Sequence, residues 1–378
     1  MYSKLWYLAI FIILFINTNL VTETNGAKKN EFIQRELDID KSDTPKNILV
    51  GSIVGGLSHL NPKLEICKIL VDRGYNVTLL APGNFTAKSI LYRSIPQIII
   101  DNYVKEMKNL FFNEYDIKNW ANGMRNDYFT LPPPIRSDPM MGRGCHVSME
   151  NESFYNRFIC AVVQPLRIIW TFKDNLNKIN AQRPEVGVSK YHDFRGRTDT
   201  LFLLDNFFGF EVPTAWPPLH QEIGPILPDT FPNLSFDLNL FLSTHPRTMY
   251  IALGSYIFTT PENYVTILQS ALELINQNIL DGVIWATVRF NRSELPTTFN
   301  LSNGNIIPTS NLINNLHPHI YITKYAPQFA ILSHENTKIF LSHGGVGSSH
   351  ESMYTATPML VLPIVFDQSG NAERLELT

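Results

Sequence analysis

The 378 residues are 44% apolar and 17% charged, with a formal net charge of −3. That is enough chain for two domains with sizeable cores, and it lacks the basic surplus that nucleic-acid binding leaves in a composition, so no nucleic-acid partner is expected. Three cysteines, Cys67, Cys145 and Cys160, exclude a disulfide scaffold and allow at most one bridge, for which Cys145–Cys160 is the expected pair.

The chain opens with Lys4 and the twelve-residue apolar run "LWYLAIFIILFI", shorter than a membrane span requires. Polar residues and the small pair Gly26-Ala27 follow. Residues 1–26 are therefore expected to be a secretory signal peptide, with an uncleaved anchor as the alternative. Six N-x-S/T sequons, at Asn76, Asn84, Asn151, Asn233, Asn291 and Asn300, fit a secretory route. Asp38 and Asp40 form a D-x-D pair of the kind that holds a metal elsewhere, but they precede the first strand and no fold places them. No metal is expected.

"NILVGS", residues 47–52, reads as the first strand. "GGLSHLNPKLEICKILVDRGY" follows as a glycine turn and an amphipathic helix, with Leu64, Cys67, Ile69, Leu70 and Val71 as its inward stripe. Gly74 is the expected helix cap and "NVTLLAP" the second strand, which makes a βαβ opening on a parallel sheet. A dinucleotide site would want an acid at the end of that second strand, and Ala81-Pro82-Gly83 stands there instead. His59 falls in the loop or first turn after strand one, at the sheet's carboxyl edge. A neutral imidazole there can take a proton from a hydroxyl, although a cap or packed surface group is the ordinary alternative.

"IPQIIID" is a candidate third strand and "LPPPIRSDP" a loop. Asn156 to Asn180 reads as a long apolar-faced helix kinked at Pro165, with core packing as its default role and an acceptor wall as the alternative. Leu201 to Thr230 is proline-rich and marks a passage between domains. Thr248 to Ser255 is a buried strand. The helix after it, "PENYVTILQSALELIN", spaces apolar residues at Val265, Leu268, Ala271, Leu272 and Ile275, and "GVIWAT" is the next strand. His317-Pro318-His319 is read as a loop before a strand, not a metal pair.

The chemistry concentrates in the last fifty residues. "KIFLS" is a buried parallel strand, "HGGVGSS" a glycine loop, and "HESMYT" begins a helix. A glycine loop feeding a helix aims backbone N–H groups and the positive dipole end at one point, which suits a diphosphate. The following run "MLVLPIVF" ends in Asp367-Gln368, groups suited to sugar hydroxyls. A nucleotide-sugar has that shape. The absence of Gly-Lys-Ser/Thr, G-x-S-x-G and H-E-x-x-H removes P-loop NTPases and the common hydrolases.

The stretch from Lys324 to Leu377 resembles the donor-binding signature of the UDP-glycosyltransferases, W-x-P-Q…H…T-H-x-G…E…G-x-P-M…P…D-Q…N. Tyr325 stands where that family usually has Trp, followed by Pro327, Gln328, His334, His343, Gly345, Ser348, Glu351, Pro358, Met359, Pro363, Asp367, Gln368 and Asn371. "SHLNPKLEICKILVDRGYNVTLLAP" is similar to the family's S-H-x-x-P…L…L…R-G-H-x-V-T element, and the similarity implies that His59 is the general base. It further implies a GT-B fold of two facing Rossmann-like α/β domains: an acceptor-binding domain over 46–220, a linker over 221–246 and a UDP-sugar-binding domain over 247–378. By the same resemblance Tyr325 stacks on uracil, Gln328 sits by base and ribose, and Glu351 accepts from ribose hydroxyls. Ser255, His343, Gly345, Gly347 and Ser348 take the diphosphate, and Asp367 and Gln368 take the sugar. The implied reaction is an inverting, metal-independent transfer of a hexosyl group to a hydroxyl of a small hydrophobic or lipid acceptor. It uses no cofactor beyond the UDP-sugar co-substrate, and its expected place is the endoplasmic reticulum lumen or membrane.

The resemblance is not uniform. The family orients its histidine with an aspartate at the end of a later strand, and no such unit stands between Asp101 and Met141; Asp101, Asp116, Asp127 and Asp138 all lack the expected strand before them. The first domain is thus expected to be shortened and the second to lack its C-terminal end. A catalytically impaired nucleotide-sugar-binding remnant, or a fragment of such an enzyme, is the alternative.

Overall fold

The computed structural model describes residues 47–52, 57–87, 89, 91–100, 153–163, 166, 170, 173, 177, 180, 181, 184, 201–211, 218–228, 231–255, 260–287, 295–364 and 367–377. The signal-peptide stretch, the Asp38/Asp40 pair, the four candidate aspartates and Cys145 lie outside the described residues.

Strands β1 (Asn47–Gly51), β2 (Asn76–Pro82) and β3 (Gln97–Ile100) form a parallel sheet in that order, with Gly51 opposite Leu80 and Pro82 opposite Ile100. Helix α1 (Leu57–Asp72) covers it, seating Leu60, Leu64 and Cys67 against Val77, Leu79 and Ala81. Ile69 does not belong to that stripe and is 47% exposed. At 100° per residue it lies some 200° round from Cys67, whereas Leu60, two turns earlier, falls on the buried line. Gly74 ends the helix at φ +85, where the N–H of Gly74 reaches Val71 O at 2.9 Å and that of Tyr75 reaches Leu70 O at 3.0 Å. This is the left-handed cap that only glycine adopts without strain.

Helix α2 (Phe154–Phe158) is capped by Ser153 and continues as a π-turn over Ile159–Val163. Cys160 is disulfide-bonded and Cys67 is free and buried, in keeping with the expected pairing. The default core role fails for this helix. Phe154, Phe158, Val162, Leu166 and Trp170 recur every four residues and are exposed by 41% (Val162) to 80% (Trp170).

Short strands β4 (Phe202–Leu204) and β5 (His220–Glu222) pair in parallel. The stretch expected as a linker holds a helix, α3 (Phe236–Thr244), capped by Ser235 and buried through Leu238 and Leu242. Next come β6 (Thr248–Ala252), α4 (Pro261–Asn276), β7 (Gly282–Ala286), an antiparallel pair β8 (Thr298–Asn300) and β9 (Ile306–Pro308), and α5 (Thr309–Ile313). After these follow β10 (Ile320–Thr323), α6 (Gln328–Leu332), β11 (Thr337–Ser342), α7 (Val346–Tyr354), β12 (Met359–Val361) and α8 (Gln368–Leu377).

The second sheet is wholly parallel, in the order β10-β7-β6-β11-β12. All five residues of β6 are buried, as expected of a strand covered on both faces. Helix α4 packs Tyr264, Ile267, Leu268, Ala271 and Leu272 on one face against Ile251, Val283 and Trp285, while α3 and α6 line the other with Leu242 and Ile331 on Tyr250, Ile284 and Phe340. His317 and His319 sit before β10 as read; His319 Nδ1 bonds Asp281 O at 2.7 Å.

Candidate functional site

From β6 the chain builds outward to β7 and β10, then returns to lay β11 and β12 on the other side. The reversal falls between β6 and β11. In open parallel sheets a ligand binds outside the carboxyl ends of the strands at that point. Leu253-Gly254-Ser255 leaves β6 there, and His343-Gly344-Gly345 leaves β11.

The two loops meet on the His343 ring. A Cβ on Gly345 would lie 2.6 Å from His343 Nε2, and one on Gly254 2.8 Å from the same atom. Burial pulls the His343 pKa down to about 4, with the Ala252 backbone offsetting only part of the shift. Its Nδ1 has no hydrogen-bond partner of normal geometry among the described residues. The ring is therefore neutral and carries one ring N–H, and its Nε2 faces the two glycine loops. Beside it Gly345 is the N-cap of α7, with no side-chain cap. The N–H groups of Val346, Gly347 and Ser348 precede the first intrahelical bond, from Ser349 N–H to Gly345 O at 3.0 Å. Those donors and the helix dipole favour an anion.

A second cluster adjoins the first. Gln328, at the start of α6, donates to Ser348 Oγ at 3.1 Å and to Glu351 Oε2 at 2.8 Å. Burial pushes Glu351 up to about 7, against the pull of the Gln328 bond. Tyr325 is exposed nearby, its hydroxyl pKa raised by desolvation and then by Glu351. Three residues selected for base and ribose thus stand together, with an aromatic face open to solvent.

At the third corner Asn371, one turn into α8, donates to Asp367 Oδ2 at 3.0 Å and to Gly344 O at 2.9 Å. Gln368 is buried and its amide oxygen accepts from the Ile364 N–H at 2.8 Å, so that oxygen serves the fold. Ser255 stands at the carboxyl end of β6, half-buried.

His59 comes to the same place from the first sheet, because α1 lies against α7. It is exposed, yet its pKa is lowered, first by desolvation and then by the Lys63 charge, while Asp367 acts in the opposite sense. The imidazole and the Asp367 carboxylate are thus within electrostatic reach of each other. Lys63, unremarked in the sequence, donates from Nζ to Ser52 Oγ at 3.2 Å and to His59 O at 3.3 Å, and burial lowers its pKa. Among the described residues no aspartate hydrogen-bonds the His59 ring.

Sequence reasoning also missed Arg374, Glu211, Asp205 and His350. Arg374 donates from Nε to Glu211 Oε2 at 2.7 Å. His350, fully buried on α7, lies 3.9 Å from Asp205 Oδ1 and packs on the rings of Phe207 and Phe210. The available signal was the three-residue spacing of Asn371 and Arg374, which puts both on one helix face.

A family model described as UDP-glucoronosyl and UDP-glucosyl transferase matches residues 159–378. UDP-glycosyltransferase FPY2 of Fusarium mangiferae is 26% identical over 296 residues, covering 76% of this chain and 53% of that protein. UDP-glycosyltransferase 1 of Phaeomoniella chlamydospora is 34% identical over 225 residues, covering 59% of this chain and 44% of that protein. The chain spans about half the length of these curated relatives. A crystal structure of the glycotransferase of kitacinnamycin superposes with a TM-score of 0.53 at 17% identity, covering 87% of this chain and 83% of that one.

Proposed function

Because the chain belongs to the UDP-glucuronosyl and UDP-glucosyl transferase family and has the GT-B architecture, we propose that it transfers a hexosyl group from a UDP-sugar to a hydroxyl of a small hydrophobic or lipid acceptor. The observation that carries the reading is the crevice between β6 and β11. There two glycine loops, a neutral His343 and the open start of α7 converge beside Gln328, Glu351 and Tyr325. Tyr325 stacks on uracil, Glu351 accepts from ribose hydroxyls, and His343, Gly345, Gly347, Ser348 and Ser255 take the diphosphate. Asp367 and Gln368 bind the sugar. His59 removes the acceptor proton as its oxygen attacks the anomeric carbon opposite UDP, which inverts that carbon, and the site's own donors stabilise the leaving diphosphate without a metal.

The second reading, a relative that binds donor without turning it over, draws on the lack of a described aspartate on His59. One experiment separates them. Calorimetry with UDP-glucose in EDTA should show binding up to about tenfold tighter at pH 8 than at pH 6, since a carboxyl titrating near 7 accepts from ribose much more strongly when ionised. Glu351→Gln should flatten that dependence. UDP release on a panel of hydroxylated acceptors then marks a transferase, and binding without release marks the second reading. No binding at any pH sinks both.

The Cys160 disulfide supports a secretory location, where such bonds persist. A membrane surface is the proposed neighbour of the Phe154–Trp170 stripe, because residues 153–184 carry five basic side chains against one acidic. Among the described residues no helix is long and apolar enough to cross a membrane. The expected result is flotation of the purified protein with vesicles containing phosphatidylserine, reduced several-fold by Trp170→Asp and by salt. Equal recovery with and without vesicles would end the idea.

A further inference from the structure

Asp205 to Glu211 lies outside every motif of the donor stretch, yet it grips two helices that carry donor residues, α7 and α8. On α7 it packs the stacked rings of Phe207 and Phe210 against His350, at 5.5 and 5.6 Å between centroids. Asp205 itself is anchored by the Ile226 N–H at 2.8 Å. On α8 it holds Arg374 through Glu211, whose second oxygen accepts from Asn206 Nδ2 at 2.6 Å. Arg374 and Glu211 are 14% and 23% exposed, so water competes weakly for the pair.

The grip continues inward. Arg374 Nη1 donates to Asn371 Oδ1 at 3.3 Å, and the Asn371 amide spends its two hydrogens on Gly344 O at 2.9 Å and Asp367 Oδ2 at 3.0 Å. Rotating that amide by half a turn would lose all three bonds, so Arg374 helps Gly344 O and Asp367 to fix which way it faces. Gly344 has a further tether, its N–H to Ser342 Oγ at 3.3 Å. The Asp367 carboxylate depends more heavily on Asn371.

We propose that Glu211 is a positioning residue for the sugar end of the donor site, acting through Arg374 and Asn371 on the Asp367 carboxylate. The inference rests on the donor-site reading above. It predicts a split that a merely structural role would not produce: loss of affinity for the sugar with little loss for UDP.

Glu211→Gln is the sharp variant. Asn206 Nδ2 and Arg374 Nε both donate to Glu211, and a glutamine has one oxygen to offer them. Calorimetry of the full chain with UDP and with UDP-glucose should show UDP-glucose binding weakened about tenfold, and UDP binding changed by less than about twofold. Asn206→Ala, which removes one support of the same carboxylate, should give a smaller shift in the same direction and serves if Glu211→Gln does not fold. Unchanged UDP-glucose affinity, or equal losses for both ligands, overturns the inference while leaving the donor site standing. A wild-type chain that binds neither ligand overturns the donor site, and the inference with it.

Discussion

His59→Ala should lower turnover by about 10²- to 10⁴-fold, the usual contribution of a positioned general base, with the affinity for UDP-glucose held within about twofold. The split follows from where the residue stands. His59 belongs to the first sheet's helix, and the donor contacts proposed for the second sheet do not include it. Its protonation is set by three effects: desolvation and then Lys63 lower its pKa, and Asp367 raises it. The net lowering keeps the imidazole neutral, hence able to accept a proton, somewhat below pH 6.5. The acid limb of the pH–rate profile should therefore fall below 6.5 and vanish in the variant. Turnover that survives the substitution within threefold, with its acid limb intact, would mean that another group accepts the proton.

Asp367, the proposed sugar ligand, also acts as a charge that raises the His59 pKa. The family's usual orienting aspartate comes from its first domain; the carboxylate felt by this histidine comes from the second. On the proposed roles, a donor hydroxyl bonded to Asp367 would withdraw part of that charge from His59 and lower its pKa further.

The second sheet was legible because parallel strands covered on both faces appear as apolar runs, as "MYIA" and "VIWA" do in full and "IFL" does after the exposed Lys338. Glycines before a helix were legible for a similar reason, since few other uses require three so close together. Helix α8 was not. Its sequence "QSGNAERLEL" has no apolar stripe, and it is held by Asn371 and Arg374 instead of by packing. The Glu211–Arg374 bond joins residues 163 apart, a separation that no local pattern expresses. Ile69 was misplaced because the run Ile69-Leu70-Val71 conceals which of its residues share the face of Leu64 and Cys67. The exposed stripe from Phe154 to Trp170 had the period of a core helix, and periodicity reports a face without saying what meets it.

Gly345→Ala should cost donor affinity about 10²-fold, more than its single methyl group suggests. The added carbon would lie 2.6 Å from His343 Nε2 and 3.0 Å from Cε1, well inside contact distance. The ring has little room to retreat toward β6, where the Gly254 backbone comes so near that a Cβ added to it would lie 2.8 Å from the same nitrogen. Overpacking of this kind costs about 1–3 kcal/mol where neighbours cannot yield, and here relief requires moving the imidazole that is proposed to meet the diphosphate. A charge-assisted hydrogen bond worth about 1.5–3 kcal/mol is then lost as well. Calorimetry with UDP distinguishes the two contributions. His343→Ala alone removes the bond and should weaken UDP by about tenfold or more, and in that background Gly345→Ala should cost little further, because the space it needs has been vacated. Full additivity of the two substitutions would show that Gly345 acts on the ligand directly and not through the ring.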